Sequence, residues 1–341
     1  MHLRLSICIA TLNRGAFIGE TLDTIVPQLC DGTELLVVDG ASADNTAEVV
    51  SRYAAADPRV RYIRLPVNSG VDRDYDIAVS HACGEYCWLM TDDDLLKPGA
   101  VTRVMAALDD NVELVIVNTE VRTVDFGGAL RHALVANGTD PRYAPDESDR
   151  LLVDTAHALS FIGCVVIRRS FWNARDRVAY YGSLFIHVGV IFQSRTPLTQ
   201  LIAEPLITVR YGNAMWTKRG FEIWMFKWPT LVWSFASVSA QAKTCISPRE
   251  PWRQLRKLLL YRSIGGYSRD EYDRFLAKHP MPAHKRLLSR AIAVIPPGLA
   301  NVLSSLYCGI FARHARMNIY DLARSPHASF VSRAVARSVG F

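Results

Sequence analysis

The chain has no Gly-x-Gly-x-x-Gly after its first apolar run and no Gly-Lys-Ser/Thr loop. Two common phosphate cradles, those of dinucleotide dehydrogenases and P-loop enzymes, are therefore disfavoured. Its seven cysteines (8, 30, 83, 87, 164, 245 and 308) are scattered and odd in number. Cys83 and Cys87 are spaced more widely than common zinc pairs, with no second pair or nearby His, so buried free thiols in a reducing cytoplasm are expected. The first eleven residues lack a basic segment followed by a small-residue cleavage site and read as a strand, not a signal peptide. No internal repeat is present. Acidic residues are scarce late in the chain: residues 241–341 carry 17 Lys+Arg against 5 Asp+Glu, leaving a net −6 for residues 1–240. A basic tail implies an anionic partner. Its charges are interleaved with aliphatic runs and not with an aromatic stacking platform, which ranks a membrane surface above nucleic acid. A clean membrane span is missing too. The 22 uncharged residues between Arg290 and Arg313 are broken by Pro296-Pro297-Gly298. They fit either an apolar helical hairpin in a membrane interface or helices packed in a core.

What is present is a long α/β pattern. The 341 residues exceed one ordinary core, and half of them are apolar, so a large domain plus an appendage, or two domains, is expected. Apolar β-prone runs at 3–10, 34–38 and 60–65 alternate with helical patterns at 16–29, 45–55 and 72–82. A fourth strand ends at Thr91, and a helix at 98–109 and a strand at 112–118 follow. This spacing predicts right-handed crossovers and a mostly parallel sheet covered by helices. From 120 to 160 the pattern reads as loop. A strand at 161–168, a helix over Leu184–Gln193 and strand-like runs at 198–203 and 205–211 complete a catalytic domain of residues 1–220. Its nucleotide half is 1–120 and its acceptor half 121–220. Residues 221–341 form a basic, apolar helical extension.

Ligands in such sheets bind beyond the carboxyl ends of the strands. Polar clusters at 11–14, 39–46, 68–73 and 91–94 all fall there. The last follows the buried run Cys87-Trp88-Leu89-Met90 with Asp92-Asp93-Asp94. Three carboxylates have no use inside a core. They suit either a shared magnesium or manganese ion beside a phosphate, or a solvated turn that starts the next helix.

Taken in order, Thr11 and Asn13, VVDGASADNT, Asn68-x-Gly70, GEYCWLMTDDD and a Pro four residues after the last Asp resemble the family-two glycosyltransferases of the GT-A fold. The detail NSGVDRDYDIAV resembles the abequosyltransferase branch of O-antigen assembly. The resemblance is tight over residues 3–120 and looser to about 215. It implies transfer of a sugar from a nucleotide-diphospho-sugar, with inversion and with a divalent metal (manganese or magnesium). Carried over, Thr11 and Asn13 shape the base and ribose pocket with Arg14 beside them, and Asp39 accepts from a pyrimidine ring with Asp44 near. Asn68 and Gly70 form the next turn, Arg73 and Asp74 line the donor sugar, and Asp92 faces the donor. Asp93 is the metal ligand with Asp94 in support, although Asp94 also reads as a helix cap. Thr91 stands where the family often has a further Asp.

The attacked acceptor hydroxyl needs a general base. The family often uses an Asp in a segment that here reads YYGSLFIHVGVIFQ, where His187 is the one ionisable base. His187 is the expected base, with a buried core histidine as the alternative reading and Asp176 as a second candidate. Arg210 fits either a diphosphate contact or a surface ion pair. A lipid-linked saccharide acceptor at the inner face of the cell membrane accounts for both the basic and the greasy character of the tail. Two other functions compete. A sugar nucleotidyltransferase releases pyrophosphate instead of a nucleoside diphosphate. A catalytically silent membrane-surface scaffold binds without turnover. Donor selectivity is assigned to residues 72–76, 120–160 and 211–220.

Overall fold

In the computed structural model, residues 3–136, 138–213 and 219–341 are described, so residues 214–218 of the expected selectivity segment lie outside the described residues. The chain divides into two compact units. One comprises Met1–Arg122, Arg131–Arg210 and Trp233–Ile246, the other Thr123–Leu130, Tyr211–Val232 and Ser247–Phe341.

The first unit is built on strands β1 (Leu5–Thr11), β2 (Thr33–Asp39), β3 (Val60–Arg64), β4 (Tyr86–Met90), β5 (Leu95–Leu96) and β6 (Leu114–Arg122). After the short β7 (Ala129–Arg131) come β8 (Arg142–Tyr143), β9 (Val165–Arg168) and β10 (Thr199–Arg210). Helices α1 (Ile18–Ile25), α2 (Thr46–Ala56), α3 (Val71–His81) and α4 (Ala100–Ala107) connect the early strands. They are followed by α5 (Ser148–Leu159), α6 (Arg169–Asn173) and α7 (Ile186–Phe192). The sheet order is β3-β2-β1-β4-β9-β6-β10-β5. β1, β2 and β4 are buried along their whole length, as expected of parallel strands covered on both faces.

Three details depart from the sequence reading. β9 runs antiparallel to both β4 and β6, so the sheet is mixed beyond β4. Residues 148–159 are helix and not loop, burying Leu151, Leu152, Ala156 and Leu159 at helical spacing. The two runs near 200 form one strand whose register shifts between Ile202 and Ile207. Pro205 lies in that shift, where its missing N–H breaks no regular ladder.

In the second unit, α8 (Gly220–Glu222) runs through a wide turn at Ile223–Lys227 toward α9 (Trp228–Ser234); α10 (Ala240–Ile246) belongs to the first unit. Beyond it come α11 (Leu255–Ser263), α12 (Arg269–Glu271), α13 (Ala283–Val294), α14 (Pro297–Phe311), α15 (Arg316–Arg324) and α16 (Phe330–Ser338). Its core is aromatic. The Phe221 ring lies 5.0–6.0 Å from those of Phe226, Tyr261, Tyr267 and Phe275, and Leu258 and Leu276 close the cluster. α14 packs on α11, α15 and α16. No single described helix is long and apolar enough to cross a membrane, and α13 and α14 meet at a bend of 108°.

One half-buried acid marks this unit. The Tyr211 hydroxyl donates to Asp321 Oδ2 at 2.9 Å. Burial outweighs that bond and pushes the Asp321 carboxyl up to about 7 from 3.8. Between these values the folded chain holds a proton that the unfolded chain releases, so stability falls as pH rises through the window. Asp321→Asn retains an acceptor and removes the charge. Its thermal unfolding should lack this fall, leaving it the more stable protein at pH 8 by on the order of 2 kcal/mol. Parallel pH–stability curves for the two proteins would contradict the buried proton.

Candidate functional site

Parallel pairing brings the ends of β1 and β2 level, with Thr11 opposite Asp39 and Ile9 opposite both Val37 and Met90. The chain leaves β1 toward β2 and β3, then returns to β4 on the other side, so the crevice between β1 and β4 is a topological switch point. The loops after β1, β2 and β4 open there.

Asn13 takes a left-handed backbone (φ 53°), which Asn tolerates better than most residues. It ties two loops together: its N–H donates to Ser42 Oγ at 2.8 Å, and its Oδ1 accepts from the Ala43 N–H at 2.7 Å. Asp39 is fully buried and accepts from the Ser42 N–H at 2.8 Å and the Tyr62 hydroxyl at 2.6 Å. Asp44 accepts from the N–H groups of Gly15 and Thr46, both at 3.0 Å. Partial burial opposes its ionisation, but the bonds from Thr46 and Gly15 hold its carboxyl below the usual range. Gly15 lets the chain pass close beside it, because a Cβ there would lie 2.9 Å from the Thr46 backbone nitrogen.

Across the crevice, Arg14 reaches the triplet. Its Nε donates to Asp92 Oδ1 at 3.2 Å and a terminal nitrogen to Asp93 Oδ2 at 2.8 Å, and the side chain is 9% exposed. Burial and the neighbouring Asp93 charge push Asp92 up to about 6, with Arg14 and the Thr11 hydroxyl opposing. Asp94 is likewise pushed up to about 8, by burial first and then by Asp93. It accepts from the Thr91 hydroxyl at 2.6 Å and the Arg210 N–H at 2.8 Å. No helix starts at the triplet: β5 follows it, and α4 begins only after Gly99. Asp94 is thus an anchor for the end of β10, which corrects its reading as a helix cap. Arg210 pairs with Glu20 and donates to the Asp93 carbonyl at 3.1 Å.

Among the described residues no group of three or more His, Cys, Asp or Glu side chains could hold a metal ion alone. The crowded carboxylates of Asp92 and Asp93 do fit an ion shared with a diphosphate, because magnesium is commonly bound by one or two carboxylates plus substrate oxygens. Burial first, and the Asp93 charge second, hold the Asp92 and Asp94 carboxyls above their usual range.

The fourth loop leads into α3. The Gly70 N–H donates to Asn68 Oδ1 at 2.9 Å, and Gly70 has a φ of 91°. Arg73 is exposed. Asp74 is buried, accepts from the Ser69 hydroxyl, and has its carboxyl raised by burial, a rise that Ser69 opposes and Asp39 increases. Its Oδ2 would lie 2.8 Å from a Cβ on residue 40, so Gly40 lets the two loops approach.

Two further acids on α3 were missed in the sequence. Asp72 accepts from the N–H groups of Leu184 and Ile186 at 2.8 and 3.1 Å, holding the start of α7. Asp76 accepts from Trp172 Nε1 at 2.9 Å and from the Tyr181 hydroxyl, and pairs with Arg177. Their spacing of four on one helix face was the available signal.

His187, on α7, is enclosed at 1% exposure, the burial expected of the core-histidine alternative. Its Nε2 donates to the Leu159 carbonyl at 2.8 Å, so Nδ1 carries the lone pair; Nδ1 is buried without a partner. Burial lowers its pKa to about 4 and keeps the ring neutral. Asp176 is exposed and accepts from the Ala179 N–H.

Arg14 is the cation paired with both Asp92 and Asp93, so removing it leaves the two carboxylates facing each other. Arg14→Met should lower unfolding free energy by about 3–5 kcal/mol in urea titration, with Arg14→Lys intermediate because it lacks the planar fork. A loss under about 1 kcal/mol would show that the pair is solvated like a surface bridge.

Residues 6–175 match the family described as Glycosyl transferase family 2. The chain is 26% identical over 230 residues to the abequosyltransferase RfbV of Salmonella typhimurium, covering 63% of this chain and 69% of that protein. It is 32% identical over 133 residues to a chondroitin synthase of Pasteurella multocida, but that match covers 39% of this chain and only 13% of the synthase. In three dimensions it resembles residues 1–349 of TarS from S. aureus, solved with UDP-GlcNAc. The TM-score is 0.55 at 15% identity, over 98% of this chain and 91% of that one. The fold is therefore of the GT-A kind, and through residues 6–175 the chain belongs to glycosyl transferase family 2.

Proposed function

We propose that the chain transfers a sugar, with inversion, from a pyrimidine nucleotide-diphospho-sugar to a hydroxyl of a saccharide acceptor. The acceptor is carried on a lipid at the inner membrane face, in O-antigen or other cell-surface polysaccharide assembly. The observation that carries this reading is the buried link from Arg14 to Asp92 and Asp93 across the switch-point crevice. It gathers carboxylates where a diphosphate and a cation would meet. An abequosyltransferase among the relatives and a UDP-sugar on a structural neighbour support the substrate class.

In this reading Asp39 uses lone pairs left over from Ser42 and Tyr62 to accept from the pyrimidine ring. Thr11, Asn13, Arg14 and Asp44 shape the pocket around base and ribose, with the Asn68–Gly70 turn beside them. Arg73 is the exposed cation on the donor-sugar side, and Asp92 faces the donor. Asp93, with Asp94 behind it, would hold a magnesium or manganese ion, which would supply a Lewis acid for the departing diphosphate. His187 takes the acceptor proton. Packing alone does not explain a buried Nδ1 without a partner, since an unpaired polar atom is costly. A neutral imidazole is also the form that can accept a proton.

A panel of UDP-, CDP- and dTDP-sugars with manganese, scored by nucleoside-diphosphate release, should give turnover with one donor. Asp93→Asn should lower kcat by about 100-fold or more. Pyrophosphate release instead would indicate a nucleotidyltransferase, and binding without turnover a silent scaffold. His187→Gln should lower kcat by about 100-fold with donor affinity unchanged. A variant with ordinary kcat and a lower Tm would assign the ring to packing.

A further inference from the structure

α14 is inside-out for a helix on a water-facing protein. The residues it buries are Ala300, Asn301, Ser304, Ser305 and Cys308. They are small or polar, and Asn301 and Ser304 are hydrogen-bonded to other helices of the same unit. Asn301 donates to the carbonyl of Leu322 at 3.0 Å and accepts from the Ser329 hydroxyl at 2.9 Å, and the Ser263 and Ser304 hydroxyls lie 2.7 Å apart. The large apolar residues face outward instead. Leu299, Leu303, Leu306 and Ile310 recur at helical spacing with exposures of 53, 47, 44 and 68%, beside Tyr307 and Phe311. α13 adds exposed Leu287, Leu288 and Val294. Among the described residues, nine of the fourteen large apolar side chains that are exposed fall between Leu287 and Phe311. Scattered surface apolar residues need no explanation, but a patch this concentrated marks an interaction surface.

Charge identifies the occupant. Residues 274–320 contain seven Lys and Arg and no Asp or Glu. Arg286 and Arg290, exposed on α13 beside Leu287 and Leu288, have no carboxylate partner among the described residues. A second copy of the same surface would bring like charges together, which is penalised. An anionic bilayer meets both demands, taking the apolar side chains below its headgroups and pairing the basic ones with phosphate. The 15 residues of α14 reach only about 22 Å, short of the roughly 30 Å of a hydrocarbon core. With the 108° bend before it, the pair suits lying in an interface and not crossing one.

We propose that the α13–α14 elbow docks the chain on anionic phospholipid, with the exposed face of α14 immersed and Arg286 and Arg290 at the headgroups. This surface is independent of the transferase reading, because vesicle binding is measured without donor or acceptor and its failure leaves turnover unaffected. The test is flotation of the full chain with phosphatidylcholine vesicles, with and without phosphatidylglycerol. The chain should float with the anionic vesicles only. Leu303→Glu/Ile310→Glu should abolish flotation, and both positions are exposed, so Tm should hold. Arg286→Ala/Arg290→Ala should weaken it by about 25-fold, taking about fivefold per basic residue. Absence of flotation, or equal flotation of parent and Glu variant, would overturn the proposal. So would a dimer that Ile310→Glu dissociates in the absence of lipid, which would give the face to a second copy.

Discussion

The interaction on which the first unit depends is one guanidinium facing two buried carboxylates. Arg14 leaves β1, Asp92 and Asp93 leave β4, and the two strands are hydrogen-bonded neighbours. Enclosing such charges costs far more than an exposed ion pair returns, and it is tolerated when geometry and further hydrogen bonds compensate. Compensation is visible around the pair: the Arg14 N–H is taken by Thr46 Oγ1 at 2.8 Å, and the Arg14 guanidinium carbon sits 5.5 Å from the centre of the Phe17 ring. The arrangement thus fixes the loop after β1 to the start of α2 and to the end of β4. A site held this tightly is pre-organised for a charged ligand, which is where electrostatic stabilisation is most effective.

α3 extends that order away from the sheet. Its acids do three separate jobs within five residues. Asp74 lies beside Asp39 and under Gly40, Asp72 holds the start of α7, and Asp76 gathers Trp172, Tyr181 and Arg177. One helix therefore sets the spacing between the loop after β2 and the segment that carries His187. Carboxylate at the amino end of α7 is favourable in charge as well as in hydrogen bonding. A shift of α3 would move both sides of the site together.

Strand ends and loops up to Met90 were readable because parallel strands buried on both faces are continuous apolar runs with abrupt polar stops. Thr11, Asp39 and Asp92 are visible as those stops. The region after β6 was harder. α5 was hidden because Asp149, Arg150 and Asp154 dilute its apolar stripe, and β10 looked like two strands because Pro205 interrupts it. The antiparallel course of β9 carries no local signature at all, since Val165–Ile167 would read the same in either direction. The tertiary role of Asp72 was unreadable for a related reason: a carboxylate early in a helix already has a local explanation, and its true partners lie more than a hundred residues away.

Thr91 gives the Asp triplet its division of labour. Its hydroxyl donates to one oxygen of Asp94, and the Arg210 N–H takes the other. A carboxylate at position 91 could not donate in its ionised form and would add a fourth acid to a crowded run. Threonine therefore turns Asp94 inward to join the triplet to β10, and leaves Asp92 and Asp93 as the pair facing Arg14. The crevice is left with a permanent countercharge and a modest excess of negative charge, not a full carboxylate cage. In the proposed function, such a wall would suit a cation that arrives with a diphosphate better than one held by protein oxygens alone.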